Sequence, residues 1–241
     1  MKKMKILMAT FAVSATFLAC QKEMQKEEKS ENSEPIAGTD VQLQTENTNA
    51  PGNVYTLSNQ VADNRVIVYN RSAKGLLTAA GSYSTGGTGT GAGLGSQVAL
   101  TLSESSQWLF AVNAGSNDVS IFKASDKGLT LTDKEPSGGI MPVSITNFRN
   151  WVYVLNAGGA GSIAGFYLNG NGTLTPIPNS IKPLSSNTSG PAQISFNSNG
   201  TAVIVTEKAT SKIITYNLNR AGVPGTLHQF SSASPTPFGF A

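Results

Sequence analysis

The 241-residue chain is 13% charged and 7% aromatic, carries 25 Gly and 11 Pro, and has a formal net charge of +3. An average soluble domain is roughly 25% charged, so charge-rich coiled coils and acidic tails are excluded, the more so because 11 of the charged side chains lie between Met1 and Glu34. With its basic leader set aside the body is neutral, without a Lys/Arg cluster and rich in Gly, Ser, Thr, Asn and β-branched residues, which argues for an all-β protein and against a nucleic-acid partner. One Cys and one His leave no intrachain disulfide, no Cys-based zinc site and no iron–sulfur cluster, and neither a cofactor nor a metal is expected.

The first element in chain order is an address. Lys2, Lys3 and Lys5 precede an apolar stretch from Ile6 to Leu18 and the small Ala19, the layout of a secretory signal over residues 1–19. That stretch is too short to span a bilayer. Phe17-Leu18-Ala19-Cys20 resembles a bacterial lipobox, with Phe17 in place of the usual Leu, and the resemblance implies cleavage before Cys20 and lipidation of that residue. The membrane is then a partner through the acyl anchor. An ordinary signal with an incidental Cys is the alternative. Residues 20–52 hold few large apolar side chains and cannot bury a core, so they read as a disordered tether. Lys22-Glu23 resembles the export signal of outer-face lipoproteins in Bacteroidetes-type bacteria, which implies an outer-membrane or cell-surface location; a generic solvated linker is the alternative.

From Asn53 to Ala241 the chain repeats. Val54-Tyr55-Thr56-Leu57 with Val66-Ile67-Val68-Tyr69 recurs as Leu109-Phe110-Ala111-Val112 with Val119-Ser120-Ile121-Phe122. It returns as Val152-Tyr153-Val154-Leu155 with Ile163-Ala164-Gly165-Phe166, and as Val203-Ile204-Val205-Thr206 with Ile213-Ile214-Thr215-Tyr216. The closing aromatics Tyr69, Phe122, Phe166 and Tyr216 stand 53, 44 and 50 residues apart, spacings typical of propeller blades. After each aromatic a Gly-containing turn opens a further strand, at Gly75, Gly128, Gly172 and Gly225. Ahead of the last three units run Gln97 to Leu100, Pro142 to Ile145 and Gln193 to Phe196, each separated from the next strand by turn residues as in a hairpin. Four antiparallel strands per repeat make a β-propeller blade; a sandwich is the alternative, but its strands would not recur in this order. Pro235 to Ala241 reads as the innermost strand of a fifth blade.

Phe110-Ala111-Val112-Asn113 and Tyr153-Val154-Leu155-Asn156 resemble the Tyr-Val-Thr-Asn repeat of seven-bladed lactonase-type propellers, the group containing bacterial 6-phosphogluconolactonase and fungal 3-carboxymuconate cyclase. Seven blades need roughly 300 residues, whereas Asn53 to Ala241 supplies 189. The expectation is therefore an apparently truncated propeller of about four blades plus the start of a fifth, whose open blade faces favour self-association.

In such a blade the first strand starts, and the second ends, at one end of the central channel. Gln97, Pro142 and Gln193 from strand starts gather there with Asn113, Asn156, Glu207 and Lys208 from strand ends. Glu207 is the candidate catalytic residue, since the matching positions of the neighbouring repeats hold neutral Asn and a carboxylate can activate water; Gln97, Asn113, Asn156, Gln193 and Lys208 are candidate substrate-binding residues. A structural surface pair of Glu207 with Lys208 is the alternative. Gly190-Pro191-Ala192-Gln193 resembles a family strand start that often ends in His; Gln193 cannot take up a proton near neutral pH, yet it can orient a ligand. His228 falls on an outer strand, Arg149 in a turn at the opposite end as a solvated side chain, and Asp118 and Asp126 in isolated turns. Gly86 to Gly93 reads as a flexible loop between blades, because no helix follows it.

Two functions remain open. One is a lipid-anchored lactonase that opens a neutral lactone ring, with Glu207 assisting water. The other is a non-enzymatic envelope propeller that binds a glycan, peptide or protein. A phosphorylated lactone is disfavoured by the extracytoplasmic address and the absence of an Arg/Lys cluster.

Overall fold

The computed structural model describes residues 51–241, which lie within the compact unit that ends at Ala241. The signal segment, Cys20 and the tether lie outside the described residues. Among the described residues no helix is long and apolar enough to cross a membrane.

Among the described residues, sixteen strands form four antiparallel sheets. The first blade is β1 (Gly52–Leu57), β2 (Arg65–Arg71) and β3 (Leu77–Ser84). The second is β4 (Leu100–Leu102), β5 (Trp108–Asn113), β6 (Asp118–Ser125) and β7 (Gly128–Pro136). The third is β8 (Pro142–Phe148), β9 (Trp151–Asn156), β10 (Ser162–Leu168) and an outer strand split into β11 (Leu174–Pro176) and β12 (Lys182–Pro183), both paired to β10. The fourth is β13 (Pro191–Phe196), β14 (Ala202–Glu207), β15 (Lys212–Leu218) and β16 (Pro224–Ser231). Each sheet runs in chain order from its inner to its outer strand, so the fold is all-β and built of propeller blades.

Alternation of side chains along a strand explains why the middle blades are apolar throughout. On β5, Trp108, Phe110 and Val112 join the core shared with Ile145, Val152, Val154 and Phe166 of the third blade. Leu109 and Ala111, the residues between them, pack instead with Val66 and Val68 of the first. β9 repeats the pattern: Val152 and Val154 face the second blade, while Tyr153 and Leu155 join Val203, Val205 and Ile214 of the fourth. A strand covered on both faces reads as a continuous apolar run, which is what made these repeats visible.

The third blade's outer edge is split opposite Gly165, the residue paired with Tyr153 of β9. The Tyr153 ring lies over Gly165, where an added Cβ would stand 2.7 Å from it, and the Tyr153 hydroxyl donates to the Gly222 carbonyl of the fourth blade. Opposite Gly165 the outer chain detours, and the Ser180 hydroxyl takes the missing strand's place by accepting from the Gly165 N–H and donating to its C=O, each at 3.0 Å.

The inner strand expected from Gln97 begins later, at Leu100. Val98 holds a left-handed conformation with φ 59°, which breaks the strand and turns its neighbours across the blades. The Gln97 N–H donates to Ala192 O of the fourth blade, and Ile145 N–H of the third donates to Val98 O, both at 2.9 Å. The expected fifth-blade strand has no regular pairing among the described residues; Phe238 and Phe240 lie instead beside β13 and β14.

Candidate functional site

Asn113, Asn156 and Glu207 occupy one structural position. Each is the last residue of its second strand and pairs with the first residue of the third strand, Asp118, Ser162 and Lys212 respectively. All three are fully buried, so each must find internal hydrogen-bond partners.

Asn113 finds three. Its amide donates to Asp118 Oδ1 at 2.6 Å and Ser120 Oγ at 2.8 Å, and its carbonyl accepts from Asn64 Nδ2 of the first blade at 2.8 Å. Asn156 donates to the Ser137 carbonyl on the linker from the second blade, at 3.1 Å, and its Oδ1 is buried without a partner. Glu207 accepts from the Ser185 N–H at 2.8 Å, from the Ser185 hydroxyl, and from the Thr210 hydroxyl at 2.6 Å. Ser185 belongs to the linker entering the fourth blade. The shared role is thus a latch: the end of a second strand fastens its blade to the preceding blade or the linker from it.

This geometry corrects four expectations. Glu207 and Lys208 do not form an ion pair, and the Glu207 carboxyl group is enclosed rather than open at a channel mouth. Asn113 and Asn156 are enclosed between blades, apart from the other candidates. Asp118, expected as an isolated turn residue, is 7% exposed and accepts from Asn113 and, at 3.5 Å, from Lys134. The loop from Gly86 to Gly93 is packed in its first half, where Gly87 and Gly89 are buried and a Cβ on Gly87 would come within 2.4 Å of Asn113, and exposed from Gly91 to Gly93.

Gln97, Gln193 and Lys208 do come together. The Gln193 amide donates to Phe240 O at 2.8 Å and accepts from the Phe240 N–H at 3.0 Å. A Cβ on Gly239 would stand 3.0 Å from Gln97 and 3.4 Å from Gln193, so the three residues are in contact. The Lys208 ammonium donates to the Gly95 carbonyl, two residues before Gln97, and lies 5.0 Å from the centre of the Phe238 ring. Partial burial lowers the Lys208 pKa below the usual lysine range. Thr206 completes the cluster, its hydroxyl donating to Phe238 O at 2.6 Å. Sequence reading missed Thr206, Ser185, Thr210 and the Phe238 to Phe240 segment; Ser185 sits in an unremarkable Ser-rich linker that offers no local signal. His228 is on β16 opposite Thr215 and exposed, remote from this cluster as expected.

No protein-family model matches the chain, and no curated protein matches it. Solved structures do. A Bacteroides fragilis protein provisionally named a 6-phosphogluconolactonase is similar at 18% identity with a TM-score of 0.61, over 76% of this chain and 54% of that one. The periplasmic gluconolactonase of Pseudomonas aeruginosa is similar at 14% identity and a TM-score of 0.60, over 78% and 56%. A Lactobacillus plantarum protein gives 14% and 0.59, over 78% and 55%. The chain spans about half the length of these structures, and at such identities the likeness establishes a lactonase-like propeller fold.

Proposed function

We propose that the chain is a lactonase-like propeller of the cell envelope that opens a neutral sugar lactone at the axial end of its blades. The likeness to a periplasmic gluconolactonase supports this reading, and the observation that carries it is the convergence of Gln97, Gln193 and Lys208 around residues 238–240. Attack on a lactone carbonyl develops negative charge on its oxygen, which an ammonium group and amide N–H donors are suited to stabilise. The Gln97 side chain makes no hydrogen bond among the described residues and is free to donate. Water activation falls to Glu207, next in sequence to Lys208, whose buried carboxyl group must release the hydroxyls of both Ser185 and Thr210 to accept a proton from water. With Lys208 as its cation and no arginine, the cluster suits an uncharged ring better than a phosphorylated one. The leader supports delivery on an acyl anchor at Cys20 to the outer membrane or cell surface.

The test is turnover of a panel of neutral lactones by the full chain, Glu207→Gln and Lys208→Met. Losses on the order of 100-fold are expected for each; unchanged rates in Glu207→Gln remove that residue from the mechanism. One observation favours a second reading, a non-catalytic propeller that binds a glycan or protein: the Glu207 carboxyl group is already held by Ser185 and Thr210, and Gln193 by Phe240. Saturable ligand binding with no turnover across the panel establishes that reading instead.

A further inference from the structure

At the opposite end from the axial cluster, a cleft of about 570 Å³ opens between the third and fourth blades, bounded by the turn after β8, the start of β9 and the turns flanking β14 and β15. Its wall combines two arginines, Arg149 and Arg220, with the aromatic side chains of Phe148, Trp151 and Tyr167 and the amide of Asn199. No Asp or Glu lines it. Among the described residues the ion pairs are Arg65 with Asp63 and Lys134 with Asp118, so both cleft guanidinium groups are without a carboxylate. The Trp151 indole N–H has no acceptor either, although the indole is held against Gly222, whose Cβ would stand 3.0 Å from Nε1.

Arg149 is placed at a conformational cost. It opens the two-residue turn between the paired Phe148 and Trp151 with φ 52°, a position where glycine is the usual occupant. Its guanidinium stacks 5.4 Å from the centre of the Phe148 ring, and Phe148 in turn lies on Gly200 of the fourth blade. An arginine without a carboxylate partner and stacked beside an aromatic ring is placed to meet a planar anion in bidentate fashion.

We propose that this cleft binds a carboxylated saccharide, a sugar chain bearing uronate groups. Arg149 and Arg220 receive the carboxylates, the aromatic side chains present flat apolar faces to the sugar C–H groups, and Trp151 Nε1 and Asn199 bond hydroxyls. The volume falls in the range of small-ligand pockets. The wall residues come from the turns at the far end of the third and fourth blades and include none of the lactone cluster, so the site stands or falls independently of it.

Calorimetric titration of the full chain with trigalacturonate, maltotriose and citrate tests the assignment. Trigalacturonate is expected to bind saturably, with maltotriose and citrate at least tenfold weaker. Arg149→Gly, which suits the turn, and Arg220→Ala each weaken trigalacturonate binding tenfold or more. Trp151→Phe keeps the ring and loses several-fold, whereas Lys127→Ala, an exposed cation in a second-blade turn, leaves the affinity unchanged. Equal binding of maltotriose overturns the role of the carboxylates, and equal binding of citrate overturns the saccharide. Absence of saturable trigalacturonate binding, or its survival in the Arg149→Gly, Arg220→Ala double variant, overturns the site.

Discussion

The two ends of the blades treat their polar side chains in opposite ways. Where the second strands finish, Asn113, Asn156 and Glu207 are fully buried and bonded to the preceding blade or linker. At the other end, Arg149 and Arg220 stand exposed in short turns without a carboxylate. The first arrangement joins blades, and its loss is felt as instability; the second leaves side chains available to a ligand, and its loss is felt in binding. The strand ends beside the proposed lactone cluster therefore carry the joints between blades, whereas the opposite turns carry side chains that join nothing.

The largest expected effect is at Glu207. Glu207→Ala strands the Ser185 N–H and the Ser185 and Thr210 hydroxyls, at about 1 kcal/mol or more for each unsatisfied donor, so a loss of about 3 kcal/mol is expected in denaturant unfolding. Asn113→Ala removes three bonds from a neutral network and is expected to cost about 2 kcal/mol. Asn156→Ala costs about half of that or less, because the residue makes one side-chain bond and its unpartnered Oδ1 is itself unfavourable. If Asn156→Ala proves as damaging as Asn113→Ala, the ranking by bonds made is wrong.

Tyr216 sharpens the comparison through pH. Burial, and then the proximity of Glu207, raise its phenol from 10 to about 12, and its hydroxyl donates to Pro183 O at 2.6 Å. A group with a raised folded pKa binds its proton more tightly in the native state, so the stability it contributes is complete below pH 10 and declines as pH rises toward 12. An alkaline loss on the order of 2 kcal/mol is expected over that window, and Tyr216→Phe should flatten it. An identical alkaline slope in Tyr216→Phe assigns the loss to other groups.

Strands were legible because their signal is local. β5 and β9 are covered on both faces and so are apolar up to their closing Asn, and the turn Gly at or just before the start of each outer strand recurs six residues after the closing aromatic, with Gly222 in the fourth unit in place of the expected Gly225, which lies within β16. Asn113, Asn156 and Glu207 were found, but their burial between blades was not, since nothing near Glu207 in sequence reveals that Ser185, 22 residues earlier, closes over it. Asn113 meets Asn64 across 49 residues. The cleft between the third and fourth blades was illegible for the same reason: Arg149 reads as one solvated turn residue until the fold sets Arg220 and the ring of Trp151 around the same cavity.

The smallest stability effect is expected at Arg149, and its sign separates the two ends. A non-glycine residue at φ 52° carries strain of roughly 1 kcal/mol or more, while the stacking of its guanidinium on Phe148 at an exposed site returns about 0.5–1 kcal/mol. The two nearly cancel, and glycine adds some chain entropy to the unfolded state. Arg149→Gly should therefore change unfolding free energy by less than about 1 kcal/mol in either direction, in contrast to Glu207→Ala and Asn113→Ala at the latch position. A loss as large as that of Glu207→Ala would show that Arg149 holds the blades together, and the division of labour between the two ends would fail. A near-zero change leaves recognition as the reason for an arginine where the backbone prefers glycine.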